Sequence, residues 1–364
     1  MRLSPILTLY LGRQFLIWVA VVFVGLCGLV LMFDVIELIR RTASRPDATF
    51  GIAFEMALLK LSDTSQKCVP FAVLFGALLS FWRLNRSHEF VVARAAGVSA
   101  WQFLLPALAI AVLIGSFKIM VVNPLASVLL LRYDQMEARY IEGKPSLLAV
   151  SSSGLWLRQS DTRGQYIVHA IRVSPHDMEF NEVTVYLFEG VDRFSGRIDA
   201  GRAWLAEGYW LIRDARITLP DGTTQQVAEY RLKTELTPDT IYDSFAAPET
   251  MSFWSLPSFI HELEDAGFSG LRHRLYWYAQ LADPLLLCAM ILIAATFSLR
   301  PARQRGTGVV LAAGIGTGFL LYFLTDVVFA LGLTARIPVI LAAWTPAGVA
   351  TLLGLSMLFH LEDG

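Results

Sequence analysis

YIVHAIRV, residues 166–173, reads as a β-strand in a chain that is otherwise built for helices. EVTVYLFE (182–189) and GYWLIRDARITL (208–219) repeat the pattern. Residues 150 to 250 alternate apolar and polar side chains with period two, which sets successive side chains on opposite faces of a sheet. LPDGTT at 219–224 is a tight-turn signal. A β-sandwich or jelly-roll-like domain of about 100 residues is expected here.

Outward from this segment the composition changes. Hydrophobic residues make up 55% of the 364 and charged residues 17%, and mean hydropathy is +0.53. A soluble domain carries about a quarter charged residues. A bilayer-spanning helix needs about 20 apolar residues. Gln14–Phe33 meets this, as does Ile52–Leu61 continued through Cys68–Trp82. Ala95–Phe117 runs on past Lys118 to Leu131. After the β segment come Pro284–Leu299, extended back through Leu275 across Asp283, then Gly306–Thr325 and Ile337–Phe359. The fold class is thus an α-helical membrane protein with six transmembrane helices, three and three, around an inserted β-jelly-roll-like domain. Expected boundaries are 1–135, 136–251 and 252–364, the last opening with a short helix in SLPSFIHELEDAG between Ser255 and Gly267. The first span is too long for a cleavable signal, and no A-x-A-like site follows it before Asp34.

Several classes are excluded. The net charge of -1 suggests no nucleic-acid partner. Cys27, Cys68 and Cys288 form no CxxC pair and read as small buried hydrophobes. No metal-ligand spacing or catalytic constellation stands out, and no GxxxxGK[ST] is present, so neither metal nor nucleotide is expected on this chain. GIGTG at 314–318 lies inside an apolar helix, where small residues make a close packing face.

NRSHEFVVARAAGVS, residues 85–99, interrupts two of the most apolar runs. Asn85 is a candidate N-cap. Glu89 falls in the first turn, where the macrodipole favours an anion, and Gly97 suits a left-handed closing residue. A helix of about 11 residues follows, about 16 Å long. It is too short and charged to span, and it carries an apolar side at Phe90, Val91, Ala93 and Ala95. Short-loop arginines set the orientation. Eight lie on one side (Arg2, Arg13, Arg83, Arg86, Arg94, Arg300, Arg303, Arg305) and four on the other (Arg40, Arg41, Arg45, Arg336). Both termini and the 85–97 helix are therefore expected in the cytoplasm, and the β domain on the opposite, periplasmic side.

This region resembles the coupling-helix region of the lipopolysaccharide-export permeases, the LptF/LptG family. So do YLGRQFL, FDVIELIRR, PFAVLFGALLSFWRLN, the long stretch from Leu271 to Gly306, and LAAWTPAGVATLLGLSMLFHLEDG at the end. The likeness is closer to the LptG branch than to LptF, mainly at FDVIELIRR, ELEDAG and the carboxyl end. The resemblance implies a non-catalytic permease subunit of an ATP-driven ABC exporter in the bacterial inner membrane. It implies a paralogous LptF-like partner, an LptB-like ATPase dimer that holds the ATP and magnesium, and LptC-like and LptA-like periplasmic jelly-roll partners. Lipopolysaccharide would be the cargo. Arg86, His88, Glu89, Phe90 and Arg94 would then face the ATPase. Arg40 and Arg41 at the outer end of the first helix, with Lys67 on the second, would meet the lipid phosphates, since guanidinium pairs with phosphate in a bidentate way; Asp63 aligns nearer than Lys67 to the family's basic position. Two readings from other classes stand beside this one. A tethering protein would use only its β domain. An ion-coupled carrier would work through the intramembrane acids Asp283 and Asp326.

Overall fold

A computed structural model describes residues 5–43, 49–142, 148–151, 154–161, 164–174, 179–189, 193–206, 208–234, 236–237, 247–265, 268–298 and 307–362. The chain divides into two compact units. One comprises 1–141, 249–254 and 274–364; the other comprises 142–248 and 255–273.

Among the described residues, the first unit holds six helices long and apolar enough to cross a membrane. They are α1 (Pro5–Thr42), α2 (Phe50–Arg86), a third that runs from Ala100 to Ile141, α7 (Leu271–Ser298), α8 (Thr307–Leu333) and α9 (Val339–Glu362). The seven-residue α3 (Glu89–Ala95) lies between the second and third. The third span is α4 (Ala100–Phe117) and α5 (Asn123–Glu137), joined by a π-helical turn at Lys118–Val122. One hydrophobic core gathers Phe15, Leu74, Leu78, Phe81, Phe90, Leu104, Ile291 and Leu358, drawn from six helices. The α7 helix is the most enclosed span, with 61% of its apolar window buried, against 11% for α1 and 17% for α8. The exposed apolar faces of α1 and α8 are therefore left for lipid or other chains.

Close helix approach depends on small residues. A β-carbon at Gly76 would lie 2.7 Å from Val19 Cα, and one at Gly115 would lie 2.8 Å from Pro284 Cα. Gly314 and Gly318 meet the side-chain ends of Leu78 and Leu74, as the packing reading of GIGTG expected.

The second unit is a seven-stranded antiparallel sheet. Its strands are β1 (Leu148–Ser151), β2 (Gly154–Asp161), β3 (Gly164–Ser174), β4 (Glu179–Glu189), β5 (Arg193–Ala206), β6 (Tyr209–Thr218) and β7 (Thr224–Lys233). Each strand pairs with the next in the chain, so the sheet is a meander. The predicted turn joins β6 to β7. Gly222 takes φ +84°, and the Asp221 carboxylate accepts from the Thr223 N–H at 2.9 Å.

One line across the sheet breaks the period of two. Buried residues alternate as Val168 and Ala170, then skip to Val173; Phe180 skips to Val183, and Ile212 to Ala215. Glu182 and Asp214 sit on this line with φ +52° and +54°. Pairing keeps one register on both sides of it, Ala170↔Val183 before and Arg172↔Asn181 after. The strands therefore kink together, and both halves of each strand turn the same face to the core. That core centres on Phe180 and Trp210, whose rings meet edge to face at 4.7 Å.

Two expected boundaries move. The helix α6 (Leu256–Asp265) follows Ser255 as expected, but Leu263 and Phe268 join the β core, so the helix belongs with the sheet rather than with the last three spans. Gly267 lies outside the described residues. Residues 136–141 continue the third membrane helix instead of opening the β domain.

Candidate functional site

The helix-terminating signals around residue 85 act differently from expectation. Asn85 is not an N-cap. The α2 helix runs through it to Arg86, and its Nδ2 donates to the Ser298 carbonyl at 2.9 Å. His88 caps α3 instead, in the left-handed conformation with φ 60°. The helix has seven residues, not 11, and is about 10 Å long. Gly97 does close it, at φ +85°. Ser99 then opens α4 with a capping box, exchanging hydrogen bonds with Gln102. That S-x-x-Q spacing was a legible helix start.

The expected coupling residues separate into two groups. Phe90 turns inward. It is buried and meets Phe103 edge to face at 5.0 Å, so it anchors the element and offers no surface to a partner. Glu89 is half-buried, accepts from Ser87 Oγ at 2.7 Å, and lies within hydrogen-bonding reach of the Tyr10 phenol. Arg86, His88 and Arg94 are exposed. Arg86 stacks over Trp82, its guanidinium 5.3 Å from the ring centroid. Arg94 makes no ion pair among the described residues. The apolar side divides as well: Ala93 packs on the core, whereas Val91 and Ala95 face outward with Val92, at 66% exposure. The offered surface is thus a pair of valines between cations. Val92 was missed because seven residues of helix show too little periodicity to assign its faces.

The basic site is compensated. Arg40 pairs with Glu37 at 2.8 Å. Arg41 pairs with the same carboxylate at 2.8 Å and with Glu137 on α5 at 3.3 Å. Lys60 to Asp34 (2.7 Å) and Arg132 to Glu55 (3.0 Å) add two more pairs among α1, α2 and α5. Lys67 does not join Arg40 and Arg41. It lies about 26 Å along α2 from Phe50 by helical rise and pairs with Asp63 at 2.7 Å.

The intramembrane acids are also placed. Asp283 does not lie at a helix end. It sits within α7, and its carboxylate meets Lys118 Nζ at 2.5 Å with both side chains largely buried. The α8 helix runs on past Asp326, an exposed residue, to Leu333.

Six apolar helices in two sets of three, an antiparallel insertion between the sets and a short exposed element after the second span define a multi-pass membrane permease subunit. The chain belongs to the lipopolysaccharide export system permease LptF/LptG family, which matches residues 9–360. It is 27% identical over 312 residues to the lipopolysaccharide export system permease protein LptG of Escherichia coli strain K12, covering 83% of this chain and 84% of that one. It is 24% identical over 353 residues to the LptG of Haemophilus influenzae, covering 93% and 94%.

Proposed function

We propose that this chain is the LptG-type subunit of an ATP-driven exporter in the inner membrane, and that it draws its energy from a separate ATPase dimer. The relatives named above are all LptG proteins, which favours that branch over LptF. The observation that carries the coupling role is the exposed Val91–Val92–Arg94 surface on an element welded to the core by Phe90. A partner seated there can push on α3, and α3 cannot move without α2 and α4. Neither ATP nor magnesium is held by this chain in this reading; both belong to the ATPase. A paralogous LptF-like subunit completes the lipid path, and LptC-like and LptA-like β domains carry lipopolysaccharide onward on the periplasmic side. Both termini and α3 face the cytoplasm.

Arg40 and Arg41 meet the lipid phosphates. Glu37 is the group that phosphate displaces, because it already holds both guanidinium groups. The decisive experiment is co-purification in mild detergent. An ABC ATPase that accompanies the wild-type chain and is lost in Val92→Asp or Arg94→Glu supports the reading. A chain that never brings down an ATPase is a tether rather than a driven permease.

A further inference from the structure

Both spans next to α3 are fastened to one helix. At the α3 end, α2 and α7 exchange hydrogen bonds: Asn85 Nδ2 donates to the Ser298 carbonyl at 2.9 Å, and Ser298 Oγ donates to the Leu78 carbonyl at 3.3 Å. Deeper in the membrane unit the third span is fastened to the same helix. Lys118 Nζ meets Asp283 Oδ2 at 2.5 Å. One turn away the backbone of Gly115 lies so close to Pro284 that a β-carbon would come within 2.8 Å of Pro284 Cα. Lys118 opens the π-helical turn, which inserts an extra residue per turn and re-aims a side chain. The ion pair lies on the most enclosed span. There a lone charge would be costly and a paired one is directional.

We propose that the Lys118–Asp283 ion pair is a positioning device that binds the third span to α7, so that displacement entering at α3 through α2 and α4 converges on α7. This assigns α7 as the helix through which ATPase motion reaches the second half of the permease. The inference rests on the coupling role proposed above. Two fasteners, one to each neighbour of α3, meet on α7; Lys60–Asp34 and Arg41–Glu137 also tie α1 to α2 and α5, but through more exposed cations, whereas Lys118 is largely buried against the most enclosed span.

The test uses the assembled transporter in proteoliposomes, with ATP hydrolysis and lipopolysaccharide release measured together. Asp283→Asn and Lys118→Met are expected to retain the ATPase and its hydrolysis while release per ATP falls about tenfold. Asp283→Glu, which keeps the charge, is expected to recover most of it. Should a single variant fail to assemble, the apolar pair Lys118→Met with Asp283→Leu avoids a lone buried charge, and it is expected to assemble yet remain uncoupled. Wild-type release per ATP in any assembled variant lacking the ion pair overturns the inference and leaves the coupling reading standing. Absence of an ATPase from the wild-type preparation overturns both.

Discussion

Single atoms decide how near two helices come in this membrane unit. Gly76 faces Val19 backbone and Gly115 faces Pro284 backbone, which cannot rotate away, whereas Gly314 faces the flexible end of Leu78. Gly76→Ala and Gly115→Ala should each destabilise the chain by about 1–3 kcal/mol, the usual cost of overpacking. Gly314→Ala should leave it nearly unchanged, as read by thermal unfolding in detergent. Phe90→Ala removes a buried ring, a loss of about 3–5 kcal/mol where the site cannot collapse. It should free α3 and abolish ATPase retention while the six spans still insert. Retention of the ATPase at wild-type levels would show that α3 is not the docking element. The arginine site gives a prediction of opposite sign. Glu37→Gln releases Arg40 and leaves Arg41 with Glu137 alone, and should raise lipopolysaccharide photo-crosslinking near residue 41, whereas Arg41→Glu should lower it.

At the scale of elements, the kinked sheet and its closing hairpin are open to test. Asp214 holds φ +54° without being glycine, a conformation that β-branched side chains adopt poorly. Asp214→Val should lower the thermal stability of the β unit, and Asp214→Gly should not. In the β6–β7 turn, the Thr223 N–H holds the Asp221 carboxyl below its ordinary range. A lowered folded-state pKa contributes stability that is present above the ordinary carboxyl pKa and is lost as pH falls through the lowered one. Asp221→Ala should therefore speed hydrogen exchange across β6 and β7 at neutral pH, and its difference from wild type should vanish in acid. A difference that persists in acid would assign the effect to turn shape rather than charge.

The whole molecule leaves its widest exposed apolar faces on α1 and α8, while α7 is enclosed. In an assembled transporter the paralogous subunit and the lipid path are expected against the first two. Cysteines placed at position 92 and in the β6–β7 turn, in a background lacking Cys27, Cys68 and Cys288, should label from opposite sides of the membrane in intact cells. Labelling of both from the same side would reject the proposed topology.

The architecture was legible because it rests on local periodicity. A run of about 20 apolar residues must form a helix in lipid, since no water is there to satisfy its backbone. Alternation around Tyr166 and Tyr186 must form strands if one face is to be buried. The sequence by itself therefore determined six spans, a β insertion, the Gly222 turn and a short non-spanning element closed at Gly97. Only the tertiary structure decided which side of that element faces a partner, because burial of Phe90 depends on Phe103 rather than on its own neighbours. The same holds for the carboxylates that compensate Arg40 and Arg41, for the transfer of α6 to the sheet, and for the kink shared by neighbouring strands. Lys118 and Asp283 are 165 residues apart. Contacts of that range are written in the packing of helices against one another, and no window of sequence contains both partners.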